Sequence, residues 1–182
     1  MAPRRPVARI GEDRFALRID ANERRVLGSL IAELRDAIKD REELGSQVGA
    51  GSWPGPAGDP ADPVGRLYPP AFPDDAEAEA EFADLVRPSL DDARHRRLDK
   101  VEATLDADEL DEAGANAWLG ALNDMRLVLG AQLGIREDTL GAAVADDPDA
   151  TRRVVFDYLG WLVAAFVDAL AEGLPESGRE TA

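Results

Sequence analysis

The stretch that most constrains the fold runs from Trp118 to Gly130 and is apolar almost all the way around a helix. A helix with this pattern belongs inside a domain rather than on its surface. Three polar side chains interrupt it, Asn123, Asp124 and Arg126, and buried polar groups need partners. Asp124 and Arg126 are two positions apart, so they point to different sides of the helix and cannot pair with each other. Other segments are therefore expected to pack around this helix and to supply the partners.

The composition narrows the class of protein. With 182 residues, 45% of them hydrophobic, the chain can build a sizeable core, and aromatics at 5% favour an aliphatic, helical one. The absence of cysteine excludes disulfides, thiol chemistry and cysteine-ligated metals. The longest apolar run, Tyr158 to Val167, is about half of the roughly 20 residues that span a bilayer. No secretory signal is visible, so a soluble, cytoplasmic protein without membrane association is predicted.

The first 19 residues predict a β-hairpin. Apolar and other residues alternate from Arg14 to Ile19, and a turn over 11–13 links this segment to a first strand over 7–10. An isolated hairpin is marginal, so its apolar side should pack on helices. Three arginines are predicted to share its exposed face: Arg9, Arg14 and Arg18.

Apolar spacings of three and four predict helices in the rest of the chain. The first begins at a capping box, Asp20 with Glu23, and ends near Leu44. An acid-rich second helix opens at Asp74 and breaks at Pro88, after which another helix continues the apolar stripe.

The remaining elements surround the central helix. An acid-rich helix start over 106–112 leads into that helix, which ends near Gly134. The last helix starts near Pro148, and its wide apolar face should make it the main packing partner of the central helix. The chain is therefore predicted to be one mainly α-helical domain over residues 1–182, a compact multi-helix fold around a buried central helix, with a short N-terminal β-hairpin over 1–19.

Two segments have a distinct composition. Residues 45–63 hold five glycines and four prolines, which predicts a flexible surface loop, and the tail over 174–182 is predicted to be frayed. The segment that comes after the predicted loop, 62–73, interleaves large apolar side chains with prolines. We expect this proline-rich segment to be extended and to bury those side chains against helices.

No pattern in the chain predicts catalysis or a bound metal or cofactor. His95, the single histidine, lies in the basic run Arg94–Arg97 and is interpreted as a solvated surface residue. The acids from Asp74 to Glu81 lack the spacing of a calcium loop and are interpreted as a solvated helix face. An enzyme that uses paired carboxylates alone is an alternative that no motif in the chain supports.

Arg66 and Arg126 lie in apolar surroundings, where a charge is costly unless it is paired. The favoured interpretation is structural: Arg126 binds backbone carbonyls, and Arg66 pairs with Asp124 and holds the proline-rich segment. The alternative is an anion or peptide pocket between that segment and the central helix. The candidate cluster, partner-binding or structural, has six members: Arg66, Tyr68, Phe72, Asn123, Asp124 and Arg126.

The N-terminus leaves DNA binding open. A net charge of −16 repels nucleic acid unless basic residues gather on one face. Residues 1–25 hold seven arginines against four acids. The candidate nucleic-acid-binding residues are Arg4, Arg5, Arg9, Arg14 and Arg18.

Several motifs together resemble a known family. They are Asp62-Pro63, the run from Arg66 to Phe72, Asp74-Asp75, Glu81-Phe82, Trp118-Leu119, the run from Asn123 to Leu127, Tyr158, and Trp161-Leu162. These motifs are similar to those of an actinobacterial family of domains of unknown function that includes AosR-like regulators of the oxidative-stress response. The resemblance implies transcriptional regulation through protein partners, such as a sigma factor or proteolysis machinery, and through promoter DNA. Redox sensing in AosR-like proteins rests on a cysteine pair, which this chain lacks.

We therefore predict a non-catalytic regulatory or adaptor protein that acts through protein partners and without a cysteine redox switch. The alternative is a transcriptional regulator that binds DNA directly through the arginine-rich hairpin. A homodimer through the apolar face of the last helix is a further alternative that the sequence leaves open.

Overall fold

The computed structural model describes residues 5–48, 62–135 and 148–172. In chain order its elements are β1 (Val7–Arg9), β2 (Arg14–Leu17), α1 (Ala21–Val48), a 3₁₀ helix (Pro63–Leu67), α2 (Ala76–Ala103), β3 (Glu109–Asp111), α3 (Glu112–Gln132) and α4 (Ala150–Ala171). The mainly α-helical fold with an N-terminal hairpin is confirmed. Most of the predicted loop over 45–63, all of the tail over 174–182, and Arg4 lie outside the described residues.

The central helix of the sequence analysis is α3. Its Trp118 is 1% exposed, stacks on Phe166 of α4 with ring centroids 6.0 Å apart, and donates its indole N–H to Thr104 Oγ1 at 2.9 Å. The helix packs most extensively against α4, then against α2 and the 3₁₀ helix. Both its burial and its predicted main partner are confirmed.

The hairpin gains a third strand that the sequence analysis did not predict. β1 and β2 pair antiparallel with Val7 opposite Leu17, and β3 adds to the other edge of β2 with Leu110 opposite Phe15. The predicted helix start over 106–112 is therefore wrong for Glu109–Asp111. Buried Leu110 between two exposed acids is a period-two pattern, but three residues are too few to distinguish it from an acidic helix start.

The predicted break at Pro88 is also wrong, since α2 runs through it as one helix. Proline removes one intrahelical hydrogen bond and crowds the carbonyl four residues earlier. Pro88 and Asp84 are both exposed, so water can satisfy the freed Asp84 carbonyl. The N-terminal half of α2 also leaves Phe82 and Leu85 exposed, whereas Leu98 and Val101 of the C-terminal half enter the core.

The start of α1 is as predicted. Asp20 Oδ1 accepts the amides of Asn22 and Glu23 at 2.9 Å each, and Glu23 accepts the amide of Asp20, which completes the capping box. The helix continues past the predicted end near Leu44, to Val48.

α4 is long and apolar enough to cross a bilayer by length and composition, the single such helix in the described ranges. The core helix of a soluble protein passes the same test. Phe156, Leu162 and Phe166 of α4 are buried against the rest of the protein, while Val154 and Trp161 are exposed.

Replacing Asp111 by alanine is expected to lower the free energy of unfolding at neutral pH by about 1 kcal/mol, because Asp111 is the N-cap of α3. Its carboxylate accepts the Gly114 amide and pairs with Lys100 at 3.2 Å, and these contacts lower its pKa. Because the pKa of Asp111 is lower in the folded state, its ionised carboxylate stabilises the folded protein at pH values above the ordinary carboxyl pKa. This stabilisation is lost as the pH falls through the lowered pKa. Urea unfolding of both proteins across this range should show the difference shrinking with acidity. A difference independent of pH would contradict this assignment.

Candidate functional site

Tyr68 of the proline-rich segment lies between two arginines. The guanidinium carbons of Arg94 and Arg41 lie 4.4 and 5.1 Å from its ring centroid, within the range of cation–π attraction. Its hydroxyl donates to Asp91 Oδ1. Burial, followed by the contact with Asp91, raises the pKa of Tyr68 far above its ordinary range. The ring therefore fastens the segment to α1 and α2.

A second contact holds the start of the segment. Arg41 is 6% exposed and pairs with Asp62 Oδ2, while Asp62 Oδ1 accepts the Gly65 amide at 3.0 Å and caps the 3₁₀ helix. A Cβ at Gly65 would lie 2.7 Å from Asp62 Oδ2. Glycine is therefore needed where the chain passes this carboxylate.

Asp124 is the buried carboxylate that organises the other side of the cluster. Arg97 donates to its Oδ2 at 2.7 Å, and Arg94 Nε lies 3.7 Å from the same oxygen. Arg94 also donates to the backbone carbonyl of Leu67. Burial raises the pKa of Asp124, and the two arginines oppose this shift. Arg94 thus links the proline-rich segment to the central helix.

The predicted pairing of Arg66 with Asp124 is wrong. Arg66 is exposed, and the partners of Asp124 are Arg97 and Arg94, one helical turn apart on α2. Both arginines belong to the basic run Arg94–Arg97, which the sequence did not connect with Asp124. His95 in the same run is half-buried, and its Nε2 lies 2.9 Å from Glu42 Oε1, so the prediction of a solvated histidine is also corrected.

Arg126 lies apart from this cluster, between α3 and α4. Its guanidinium carbon is 4.6 Å from the centroid of the Phe156 ring, and a Cβ at Gly160 would lie 3.2 Å from its Nε. That Nε is buried and has no hydrogen-bond partner among the residues that the structure describes. The contact described for Arg126 is thus with an aromatic face, and its expected bonds to backbone carbonyls stay a prediction.

The remaining two candidates are on the surface. Phe72 is 46% exposed and packs edge-to-face on Phe82 of α2, with ring centroids 5.8 Å apart. Asn123 is exposed on α3. A cavity of about 200 Å³ between α1, α3 and α4 is lined by Leu34, Met125 and Val155, among others, and by none of the six candidates. The structure therefore separates the predicted cluster into three parts. Tyr68 and Asp124 are linked through Arg94, and Arg126 lies apart between α3 and α4. Arg66, Phe72 and Asn123 are individual surface positions.

The hairpin arginines do not share one face. Arg9 stands opposite Phe15, and residues opposite each other in an antiparallel pair share a face, so Arg9 lies on the side of the buried residues. Its guanidinium carbon is 5.0 Å from the Phe15 ring centroid. Arg14, on the other face, pairs with Glu109 of β3, and Arg5 with Glu172 at 3.1 Å. Arg18 is exposed.

The perturbed carboxylates belong to these structural contacts. Burial raises the pKa of Asp91 and of Asp124, whose oxygens meet Tyr68 and the arginines of α2. Within residues 5–48, 62–135 and 148–172 no three histidine, aspartate or glutamate side chains are grouped so as to hold a metal ion.

Replacing Tyr68 by phenylalanine is expected to cost about 1–2 kcal/mol of unfolding free energy, because the half-buried Asp91 loses a hydrogen-bond donor. The ring would keep its place between Arg41 and Arg94. Since the hydrogen bond from Tyr68 lowers the pKa of Asp91, that pKa should rise further in the variant. A carboxyl titration by NMR measures the shift. An unchanged Asp91 pKa would show that the hydroxyl does not serve this carboxylate.

The fold and this cluster define a mainly α-helical domain in which a proline-rich segment is anchored to α1, α2 and α3 through arginines and Tyr68. The chain belongs to the family described as a domain of unknown function, DUF2017, whose family model matches residues 4–170. The family expected from the sequence motifs is thereby confirmed.

Two named relatives illustrate the membership. The chain is 31% identical over 171 aligned positions to the putative oxidative stress regulator AosR of Mycobacterium leprae, which covers 82% of this chain and 77% of the relative. It is 34% identical over 128 positions to the oxidative stress regulator AosR of Mycobacterium tuberculosis, over 59% of this chain and 58% of the relative. No solved structure matches significantly. The relatives are named as regulators rather than as enzymes.

Proposed function

We propose that this protein is a non-catalytic regulator or adaptor that acts through a protein partner in the oxidative-stress response. The names of the relatives support the regulatory role. Because the chain has no cysteine, the proposed regulation proceeds without a thiol switch of its own.

One observation supports a protein-binding mode above all. Phe72, Phe82 and Leu85 are 46%, 39% and 81% exposed. Phe72 packs on Phe82 where the proline-rich segment meets α2, and Leu85 follows Phe82 by one helical turn. We call these three residues the α2 patch. Large apolar side chains gathered on a surface are typical of protein-binding sites. The buried cluster around Tyr68 holds the segment that carries Phe72, so the patch is formed before a partner arrives.

Direct DNA binding is the second candidate, and it has weaker support. Of the arginines proposed to contact phosphates, Arg5 and Arg14 pair with acids and Arg9 lies against Phe15. β3 also places Glu109 and Asp111 beside the hairpin. These acids reduce the local positive potential that phosphate binding requires.

Complementation in a strain that lacks the native gene tests the proposal. The wild-type gene should restore the transcript response to peroxide. A Leu85→Glu variant should fail to restore it, whereas an Arg14→Glu, Arg18→Glu variant should succeed. The reverse result, with the hairpin variant inactive and the patch variant active, would favour DNA binding and contradict the proposal. Equal protein levels on immunoblots control for stability.

A further inference from the structure

The charge around the α2 patch points to the chemistry of its partner. We propose that the patch docks a cationic amphipathic helix of a partner protein, with the apolar face of that helix on Phe72, Phe82 and Leu85. This inference rests on the proposed function and adds the class of ligand.

The geometry of α2 suits a helical ligand. Ala78, Phe82, Leu85 and Ser89 recur at spacings of three and four, so they form one strip along the helix, and Phe72 widens the strip on one side. A ligand helix with apolar residues at positions i, i+3, i+4 and i+7 can place these side chains along such a strip.

The surrounding charge selects the sign of the ligand. Between Leu67 and Ser89 the chain carries six acids and one basic residue, Arg87, which pairs with Glu79. Two of these acids have internal roles, since Asp75 caps α2 and Glu79 binds backbone amides. The other four are exposed in the same stretch of chain: Asp74, Glu77, Glu81 and Asp84. They attract lysine and arginine on the flanks of a bound helix and repel nucleic acid and anionic membranes.

The patch is preorganised. Glu79 Oε2 accepts the amides of Ala71 and Phe72 at 2.8 and 2.9 Å, which fixes the backbone that carries the Phe72 ring. Arg87 Nη2 lies 3.8 Å from the other oxygen of Glu79. A surface held in its bound shape loses little conformational entropy on association.

A second copy of the chain is a poorer occupant. A two-fold dimer through this patch would place the same surface on both sides of the interface. The exposed acids of each copy would then face those of the other, and like charges brought together oppose association.

The test uses two designed, fluorescein-labelled peptides of about five helical turns, which share a leucine and tryptophan face. One carries lysine and arginine on its flanks, and the other carries glutamate. Fluorescence anisotropy with the full chain should show binding of the cationic peptide that weakens with salt, and no comparable binding of the anionic one. Leu85→Glu should weaken the cationic complex by at least about tenfold. Val154→Glu, at an exposed aliphatic residue of α4, is the matched control and should change it by less than about twofold.

Three results would overturn the inference. The first is equal weakening by the two variants, and the second is equal binding of both peptides. The third is a wild-type dimer in sedimentation experiments that Leu85→Glu converts to monomer, which would assign the patch to a second copy. Circular dichroism of each variant confirms folding. If Leu85→Glu fails in complementation while the cationic peptide does not bind, the proposed function stands and only the class of ligand is wrong.

Discussion

Replacing Asp124 by alanine is expected to lower the free energy of unfolding by about 3 kcal/mol, because Arg97 and Arg94 lose the carboxylate that they share. The raised pKa of Asp124 indicates that burial outweighs the attraction of the two arginines. The ion pair is therefore not a large net source of stability. The cost arises because one partner is removed and the arginines are left without it.

Urea unfolding at neutral pH measures this effect. Asn123→Ala is the matched control, since Asn123 is exposed on the same turn of α3, and it should change the unfolding free energy by less than about 0.5 kcal/mol. Equal effects of the two substitutions would show that Asp124 does not organise the cluster.

Replacing Trp118 by alanine is expected to cost about 4 kcal/mol, within the range for large-to-small changes at aromatic core positions. Trp118 is 1% exposed, stacks on Phe166 and donates to Thr104, so its removal opens a cavity between α3 and α4 and leaves a hydroxyl without its donor. Trp161→Ala is the control, because Trp161 is 42% exposed. The one ring contact described for it is with Tyr158, at 5.8 Å between ring centroids. A loss for Trp118 no greater than that for Trp161 would contradict the central position of α3.

Features set by short-range patterns could be predicted from the sequence. The apolar circumference of α3 predicts its burial, and the alternation that includes Phe15 and Leu17 predicts the hairpin. The capping box of Asp20 with Glu23 places the start of α1. In each case the residues that carry the signal are within a few positions of one another, and their packing follows from helix or strand geometry.

Long-range pairings could not be predicted in the same way. Arg94 and Arg97 look like surface arginines in the sequence, and only the packing of α2 on α3 brings them to Asp124. Arg97 and Asp124 are 27 positions apart in the chain. Arg41 was likewise not identified as the partner of Tyr68. Arg66 was a reasonable candidate by composition, but the turn of the 3₁₀ helix directs Leu67 inward and leaves Arg66 exposed.

Three local predictions failed because the signal was ambiguous. A proline normally ends or kinks a helix, but the exposed position of Pro88 lets α2 continue through it. β3 is three residues long, too short for its alternation to be recognised. Arg9 lies on the buried face of the hairpin rather than on the predicted exposed face, because the register pairs it with Phe15. Turn length and register, which fix such faces, are not specified by the alternation alone.

The most direct test of protein binding at the α2 patch is site-specific photocrosslinking in cells. A photoreactive amino acid is placed at position 85 in the patch, and in a second protein at position 154 on α4. A discrete protein adduct, formed from position 85 and not from position 154, is the expected result. Absence of any protein adduct at position 85, together with specific binding of the purified protein to promoter DNA at physiological salt, would contradict the proposed function.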